Sequence, residues 1–508
     1  MTTGQQSRRL GRIWLPVVVA SGCLACSGED SGDGEPDYSY TGNGGALGGA
    51  GSGSTSGNGG ASDNAGNGGA PGGVGGGGSS GNGGESGNAG GGGAPGGAGS
   101  GGSSGNEGGG GGGAPSGGSG GTTSDGLKPY ATWYSALDDA NGPILGFTFP
   151  PVLPLMNATV RQIAHVSLGG SRIRIKLSNR YGVTPLAFAK VRVASSLTKG
   201  AIDGGTDTAV TFGGATSVTI DAGKDVWGDP IDFAVDSRGD VAVSAYVPGT
   251  ADVATEHRFA QRTNYVTLGD STSSPDVTAT AQTITAGYWL EEVDIFRSNP
   301  VNVIVGFGDS ITDGNGSTAD ANLRYPDQLS RLALASNASQ PELSVVNAGI
   351  GGNRWLHDGL GPKASGRFAR DALAVTGVSH VVILLGINDI GFSIFSAAEA
   401  ASAADIIAAI TSATRSAQAA HLKVFLGTLL PFAGSLYYTT DGDAKRSAVN
   451  DWIRSKTVGD GFFDFDQLLR DPADPTKYAA SYDSGDHLHP NDTGYAVMAK
   501  AIDLPKLR

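Results

Sequence analysis

Val301-Asn302-Val303-Ile304-Val305-Gly306-Phe307-Gly308-Asp309-Ser310-Ile311-Thr312-Asp313-Gly314 is the stretch on which the reading of the whole chain turns. Its apolar, β-branched run stops abruptly at Gly-Asp-Ser, the pattern of a buried strand that delivers a serine to the carboxyl edge of a sheet. Open α/β folds place their ligands at that edge, so Ser310 is a candidate nucleophile. A serine hydroxyl attacks at neutral pH only when a base takes its proton and a third group orients the base.

The far end of the chain offers both groups. In Asp486-His487-Leu488-His489-Pro490-Asn491 a carboxylate stands three positions before His489, where it can hold one imidazole nitrogen while the other faces the serine. His487 competes for the role of base and Asp483 for that of the carboxylate, but the Asp-x-x-His spacing favours Asp486 and His489. Between these ends, Asn347-Ala348-Gly349-Ile350-Gly351-Gly352-Asn353 and Leu385-Gly386-Ile387-Asn388-Asp389 each follow an apolar, strand-like run. They would bring a backbone N–H and a side-chain amide to neighbouring strand ends, as donors for an oxyanion. Asp309 and Asp389 read as supports for local backbone groups.

These four blocks, in this order, resemble the SGNH (GDSL-type) hydrolase family of serine esterases and lipases. The resemblance runs from near Val301 to the C-terminus. It implies a catalytic Ser310, His489 and Asp486, with oxyanion donors from the Ser310 N–H, the Gly352 N–H and the Asn388 amide. Gly349 and Gly351 crowd the second block and stand as alternatives to Gly352. Arg354 and Trp355, just beyond it, are candidates to contact substrate. The residue two beyond Ser310 is Thr312, so there is no G-x-S-x-G elbow and the α/β-hydrolase fold is disfavoured. A phosphate-cradling turn would need a nearby Lys or Arg, and none follows before Arg324.

After Asn299-Pro300, strands are predicted near Asn302 to Phe307, Ser344 to Asn347, His380 to Leu385, Lys423 to Thr428 and Phe462 to Phe465. Helices are predicted near Tyr325 to Ala335, Ser365 to Leu373, Ala397 to Ala420, Asp443 to Ser455 and Asn491 to Ile502. This alternation makes residues 299–508 an α/β domain with a flavodoxin-like, parallel five-stranded sheet covered on both faces.

Residues 127–298 read differently, with a two-residue period clearest in Arg172-Ile173-Arg174-Ile175-Lys176-Leu177. Similar runs are Thr159 to Leu168, Ala187 to Val193, Ser217 to Ile220, Asp240 to Val247 and Tyr288 to Phe296, separated by turn signals such as Gly213-Gly214. Many short strands without a convincing helix predict an all-β, jelly-roll-like sandwich. Trp133, Tyr181, Trp227 and Tyr265 could stack on a polysaccharide, although packing in a core is the commoner use of such rings. His165 and His257 have no acid at telling spacing and read as structural.

The chain has 508 residues, and its 86 glycines are concentrated between Ser27 and Gly126. Residues 27–126 cannot bury enough apolar surface to offset their conformational entropy, so they read as a disordered tether. Arg8-Arg9-Leu10-Gly11-Arg12 followed by the short run from Ile13 to Ala20 makes residues 1–26 a signal peptide. Ala20-Ser21-Gly22-Cys23 resembles a bacterial lipoprotein cleavage box, with Cys23 as the lipidated residue and Cys26 as its competitor. An exported protein, either a cell-surface or outer-membrane lipoprotein or a secreted one, is therefore expected, with membrane contact only through that anchor.

Cys23 and Cys26 are the only cysteines, which removes disulfides, thiolate metal sites and a cysteine nucleophile from the folded part. A net charge of −14 argues against a nucleic-acid partner. His487 and His489 with Asp486 come nearest to metal-ligand spacing, but a serine and its base account for more residues, so no metal or other cofactor is expected. A β-sandwich ahead of such a domain resembles secreted GDSL-type esterases grouped with xylan-active enzymes. That arrangement, with export and a long tether, points to an ester substrate outside the cell, an acylated polysaccharide ahead of an acyl lipid, with a non-catalytic surface glycan-binding protein as the alternative that the intact Ser310, Gly352, Asn388, Asp486 and His489 set argues against.

Overall fold

The computed structural model describes residues 126–142, 154–336, 341–456 and 458–508. The predicted signal peptide with Cys23, and almost all of the predicted tether, lie outside the described residues.

The α/β domain is built on one five-stranded parallel sheet of β1 (Val301–Gly308), β2 (Glu342–Gly349), β3 (Val378–Leu384), β4 (Lys423–Gly427) and β5 (Gly461–Phe463). Its strand order is β2-β1-β3-β4-β5, the flavodoxin-like order, and every pairing is parallel. Val303, Ile304, Val305, Phe307, Val381, Val382, Phe425 and Leu426 are buried, as continuous apolar runs with helices on both faces should be. The helices are α1 (Ser310–Asp313), α2 (Tyr325–Ala335), α3 (Ala364–Phe368), α4 (Ile387–Gly391), α5 (Ala403–Ala419), α6 (Thr440–Arg454), α7 (Phe465–Leu469) and α8 (Asp492–Ala501).

Short α1, α4 and α7 are not among the predicted helices, and two of the predicted helices take a different form for local reasons. The run predicted as a helix from Ala397 becomes α5 only at Ala403, because Ser402 and Asp405 form a reciprocal capping box there. The run from Ser365 divides into α3 and a π-helical turn at Ala369–Leu373, which puts Arg367 and Asp371 on one buried face.

The N-terminal domain is an antiparallel β-sandwich. One sheet orders Lys128–Tyr134, Leu290–Arg297, Gly170–Ser178 and Ile231–Val235, with Asp225–Trp227 paired to the third strand. The other orders Gln282–Ile284, Asn264–Leu268, Leu155–His165, Asp240–Ala251, Lys190–Ser195 and Thr208–Ala209. In Gly170–Ser178 the predicted alternation is realised, with Ile173, Ile175 and Leu177 buried while Arg172 and Arg174, on the opposite face, pair with the exposed Asp232 and the buried Asp294. The run predicted from Tyr288 to Phe296 is broken at Trp289, whose φ of 62° turns the chain between two strands.

The sandwich packs on β2, the edge strand of the parallel sheet. The Ser344 hydroxyl donates to the Ala131 carbonyl at 2.7 Å, and the Val345 N–H donates to the Ser167 hydroxyl at 2.7 Å. An edge that would otherwise leave backbone groups unpaired is thereby covered. One apolar core runs through both domains, from Val160, Val243 and Ile295 to Val303, Phe307 and Val381, and a smaller cluster around Ile163, Ala242 and Tyr265 lies in the sandwich. The four sandwich aromatics are spent on packing: Tyr265 is buried, Trp227 lies under the Arg174 guanidinium at 4.0 Å, Trp133 packs on the core, and Tyr181 accepts from Arg370 of the α/β domain.

Candidate active site

β1 delivers Ser310. Its last residue, Gly308, is level with Gly349 at the end of β2 and with Leu384 at the end of β3, so the three loops that follow open at one edge. A side chain at Gly308 would meet the Leu384 carbonyl at 2.5 Å, which is why the chain turns there on glycine. Asp309 caps α1, with its carboxylate accepting the Ile311 N–H at 3.0 Å. Burial pushes the Asp309 carboxyl up to about 7, against the opposing effects of that N–H and of His489.

The loop before α8 brings the imidazole. His489 Nε2 lies 2.8 Å from Ser310 Oγ, and His489 Nδ1 lies 2.5 Å from Asp486 Oδ2. With Nδ1–H donating to the carboxylate, the Nε2 lone pair faces the serine hydroxyl and accepts its proton. Asp486 is itself held by the N–H groups of Leu488 and His489, each at 2.9 Å, and by the Ser484 hydroxyl at 3.0 Å. Burial alone would raise the Asp486 carboxyl, but the bond and charge of His489 and those N–H groups hold it well below the usual carboxylate range. The competing pair faces away: His487 Nδ1 binds Asp483 Oδ2 at 2.5 Å, and the His487 side chain is 51% exposed.

The expected oxyanion donors gather at the same edge. Neither the Ser310 nor the Gly352 N–H has a hydrogen-bond partner among the described residues. Gly352 has a φ of 73°, and a side chain there would run into Leu360. The alternatives are less available, since the Gly349 N–H is taken by Asn347 Oδ1 at 2.9 Å and Gly351 is buried against the Phe259 ring. Asn388, on α4, donates one amide hydrogen to the Asn353 carbonyl at 3.1 Å, which orients the group and leaves its second hydrogen for a ligand.

Arg354 and Trp355, the candidates for substrate contact, have their side chains engaged by protein partners. Both are buried: Arg354 binds Glu399 at 2.8 Å and the Asp358 carbonyl at 2.5 Å, and lies over the Phe392 ring at 4.6 Å. Trp355 donates its indole N–H to the Leu385 carbonyl at 3.1 Å, and Asp389 accepts the N–H groups of Trp355 and Leu356. An apolar ring and a charge next to a glycine-rich loop carry no sign in sequence of whether they point in or out.

Two pairings escaped sequence reasoning because they join distant residues. His257, in the sandwich, donates to Asp313 of α1 at 3.0 Å and to the Ala136 carbonyl at 2.8 Å. His165 likewise pairs with Asp240 at 2.6 Å. The sandwich also reaches the rim of the site, where Phe259 lies against Gly351 and Gln261 donates to Asn315 Oδ1 at 2.8 Å.

A hydrogen-bonded Asp–His–Ser array beside free N–H donors is equipped to attack a carbonyl and hold the resulting oxyanion. Residues 307–497 match the GDSL-like Lipase/Acylhydrolase family model. Residues 307–497 thus form a domain of GDSL-like lipase/acylhydrolase type. The GDSL-type domain is a carboxylic ester hydrolase. Solved structures similar to it include a GDSL-like lipase from Bacteroides thetaiotaomicron VPI-5482, at 20% identity over 41% of this chain and 87% of that one, with a TM-score of 0.31. Another is a catalytic mutant of an acetylxylan esterase from Geobacillus stearothermophilus, at 22% identity over 41% of this chain and 94% of that one, with a TM-score of 0.32. No curated protein matches the chain in sequence.

Proposed function

We propose that the protein is an exported serine esterase that removes short acyl groups, chiefly acetyl, from a polysaccharide. The observation that carries the esterase chemistry is the unbroken relay from Asp486 through His489 to Ser310, next to two unpartnered N–H groups. His489 Nε2 takes the Ser310 hydroxyl proton as Oγ bonds to the ester carbon, and the carbonyl π pair moves onto oxygen. That oxygen is held by the N–H groups of Ser310 and Gly352 and by the Asn388 amide. Collapse expels the alcohol, which takes the proton from His489, and leaves an acyl group on Ser310. Water then attacks, again giving its proton to His489, and the acid departs as Ser310 is restored.

The carbohydrate side of the reading is supported by the sandwich loop at the rim, where Phe259 closes the space over Gly351 and Gln261 offers polar contact beside Asn315. An acyl-lipid substrate is the second reading, favoured by Ile394, Phe395 and Leu436, which are 37%, 36% and 68% exposed. Phe395 stacks edge-on with Tyr437, next to Leu436, so these residues form an apolar margin that a long chain could cover. Acetate release from acetylated xylan, compared with fatty-acid release from lysophospholipid, separates the two. Faster acetate release is expected, and a preference for the long chain would overturn the carbohydrate reading.

Cys23 is the proposed lipid anchor. Cys23→Ala should free the protein from membranes, and unchanged membrane association would remove that assignment.

A further inference from the structure

Arg367 is wholly buried, and a guanidinium in that position is costly unless its donors are matched. Its partners are the backbone and side chains that frame the expected oxyanion donors. Nη2 donates to the Gly308 carbonyl at 2.8 Å, two residues before Ser310. Nη1 donates to the Ala348 carbonyl at 2.9 Å, in the penultimate residue of β2. Nε donates to Asn353 Oδ1 at 2.9 Å, beside Gly352, and the Asn353 carbonyl in turn receives the Asn388 amide. The guanidinium plane rests on the Phe307 ring at 4.2 Å. One rigid fork thus ties together the segments that carry all three donors.

The fork is itself gripped from the other domain. Arg367 Nη1 binds Asp371 Oδ2 at 3.1 Å, and Asp371 accepts the Tyr134 hydroxyl of the sandwich at 2.9 Å. Arg370 also binds Asp371, and it donates to the Leu137 carbonyl at 3.2 Å and the Tyr181 hydroxyl at 3.0 Å, both in the sandwich. Burial works to raise the Asp371 carboxyl, but the two arginines and Tyr134 hold it down at about 2, so the clamp is charged across the neutral range.

We infer that Arg367 is a positioning residue for the oxyanion donors, and that the sandwich domain sets its position through Tyr134 and Asp371. The inference rests on the serine-esterase reading and adds a role for the sandwich that does not depend on its binding a glycan. A lysine at 367 keeps the charge but cannot span three acceptors in different directions.

The test compares p-nitrophenyl acetate with its thionoester in the full-length protein. Sulfur is a poor hydrogen-bond acceptor, so the oxygen-to-sulfur rate ratio reports on the oxyanion donors, whereas a loss of folded enzyme lowers both rates alike. Arg367→Lys should lower kcat on the oxygen ester by about 10- to 100-fold, with KM nearly unchanged and the ratio falling in step. Tyr134→Phe, which removes only one hydroxyl, should lower the ratio by about threefold and keeps the test open if the lysine variant does not fold. Proportionate losses on both esters, or an unchanged ratio in the folded variants, would overturn the inference. Ser310→Ala separates the two levels: if it retains activity, the esterase reading itself fails. If it is inactive while the ratio stays unchanged in the other variants, only the positioning role fails.

Discussion

Replacing His257 should make the protein's stability less sensitive to alkaline pH. Both ring nitrogens of this buried residue donate, Nδ1 to the Ala136 carbonyl and Nε2 to Asp313, so it is an imidazolium in the folded state. Burial pulls its pKa down, but the charge and hydrogen bond of Asp313 and the Ala136 carbonyl outweigh that and lift it from 6.5 to about 9. A base whose pKa is raised by folding contributes stability that is complete below its unfolded value and is lost as pH rises through the folded one. The window is therefore pH 6.5 to about 9. At about 1.4 kcal/mol per pH unit, the contribution lost across it is ~3 kcal/mol. Urea unfolding followed by tryptophan fluorescence at pH 6 and pH 10 measures it in the native protein and in His257→Gln. The gap between the two should narrow by roughly 3 kcal/mol on going from pH 6 to pH 10. Parallel pH profiles would refute the buried charged pair.

Four further outcomes follow from the site. Asn388→Ala should lower kcat by about 10²–10³ with little change in KM, as measured on p-nitrophenyl acetate. Asp486→Asn should cost about 10⁴ in kcat by fixing the wrong imidazole tautomer. Asp483→Asn, whose side chain holds the Gly485 N–H and the outward His487, should stay within about twofold of the native rate in the same assay. Asp309 is lifted from 3.8 to about 7 by burial, so its ionisation destabilises the fold progressively across that interval and the cost persists above it. Asp309→Asn should therefore gain up to ~4 kcal/mol relative to the native protein between pH 4 and pH 8, read from urea midpoints.

What could be read in the sequence was local. The run from Val301 to Gly308 is apolar because β1 is central and covered on both faces, and the same holds for β3. Arg172 to Leu177 alternates because one face of that strand meets the core and the other carries half-buried cations paired with Asp232, Asp294 and Glu291. Asp486 and His489 share a short loop, so their pairing could be argued from spacing alone. His257 with Asp313, and Arg367 with Tyr134 through Asp371, are set by the docking of two domains, and no spacing rule reaches across 56 or 237 residues. Arg354 and Trp355 show the converse limit. A residue just past a glycine-rich loop could face substrate or core, and here Glu399, the Asp358 carbonyl and the Leu385 carbonyl draw both inward. The left-handed turn at Trp289 is set by the sandwich around it, against the preference of a bulky side chain.

The acyl-enzyme is the claim on which the rest depends. Brief reaction with p-nitrophenyl acetate, an acid quench, and peptide mapping by mass spectrometry should place an acetyl group on Ser310 in the native protein and leave that peptide unmodified in His489→Ala. Acetylation at another residue, or continued turnover by a Ser310→Ala protein, would contradict the account.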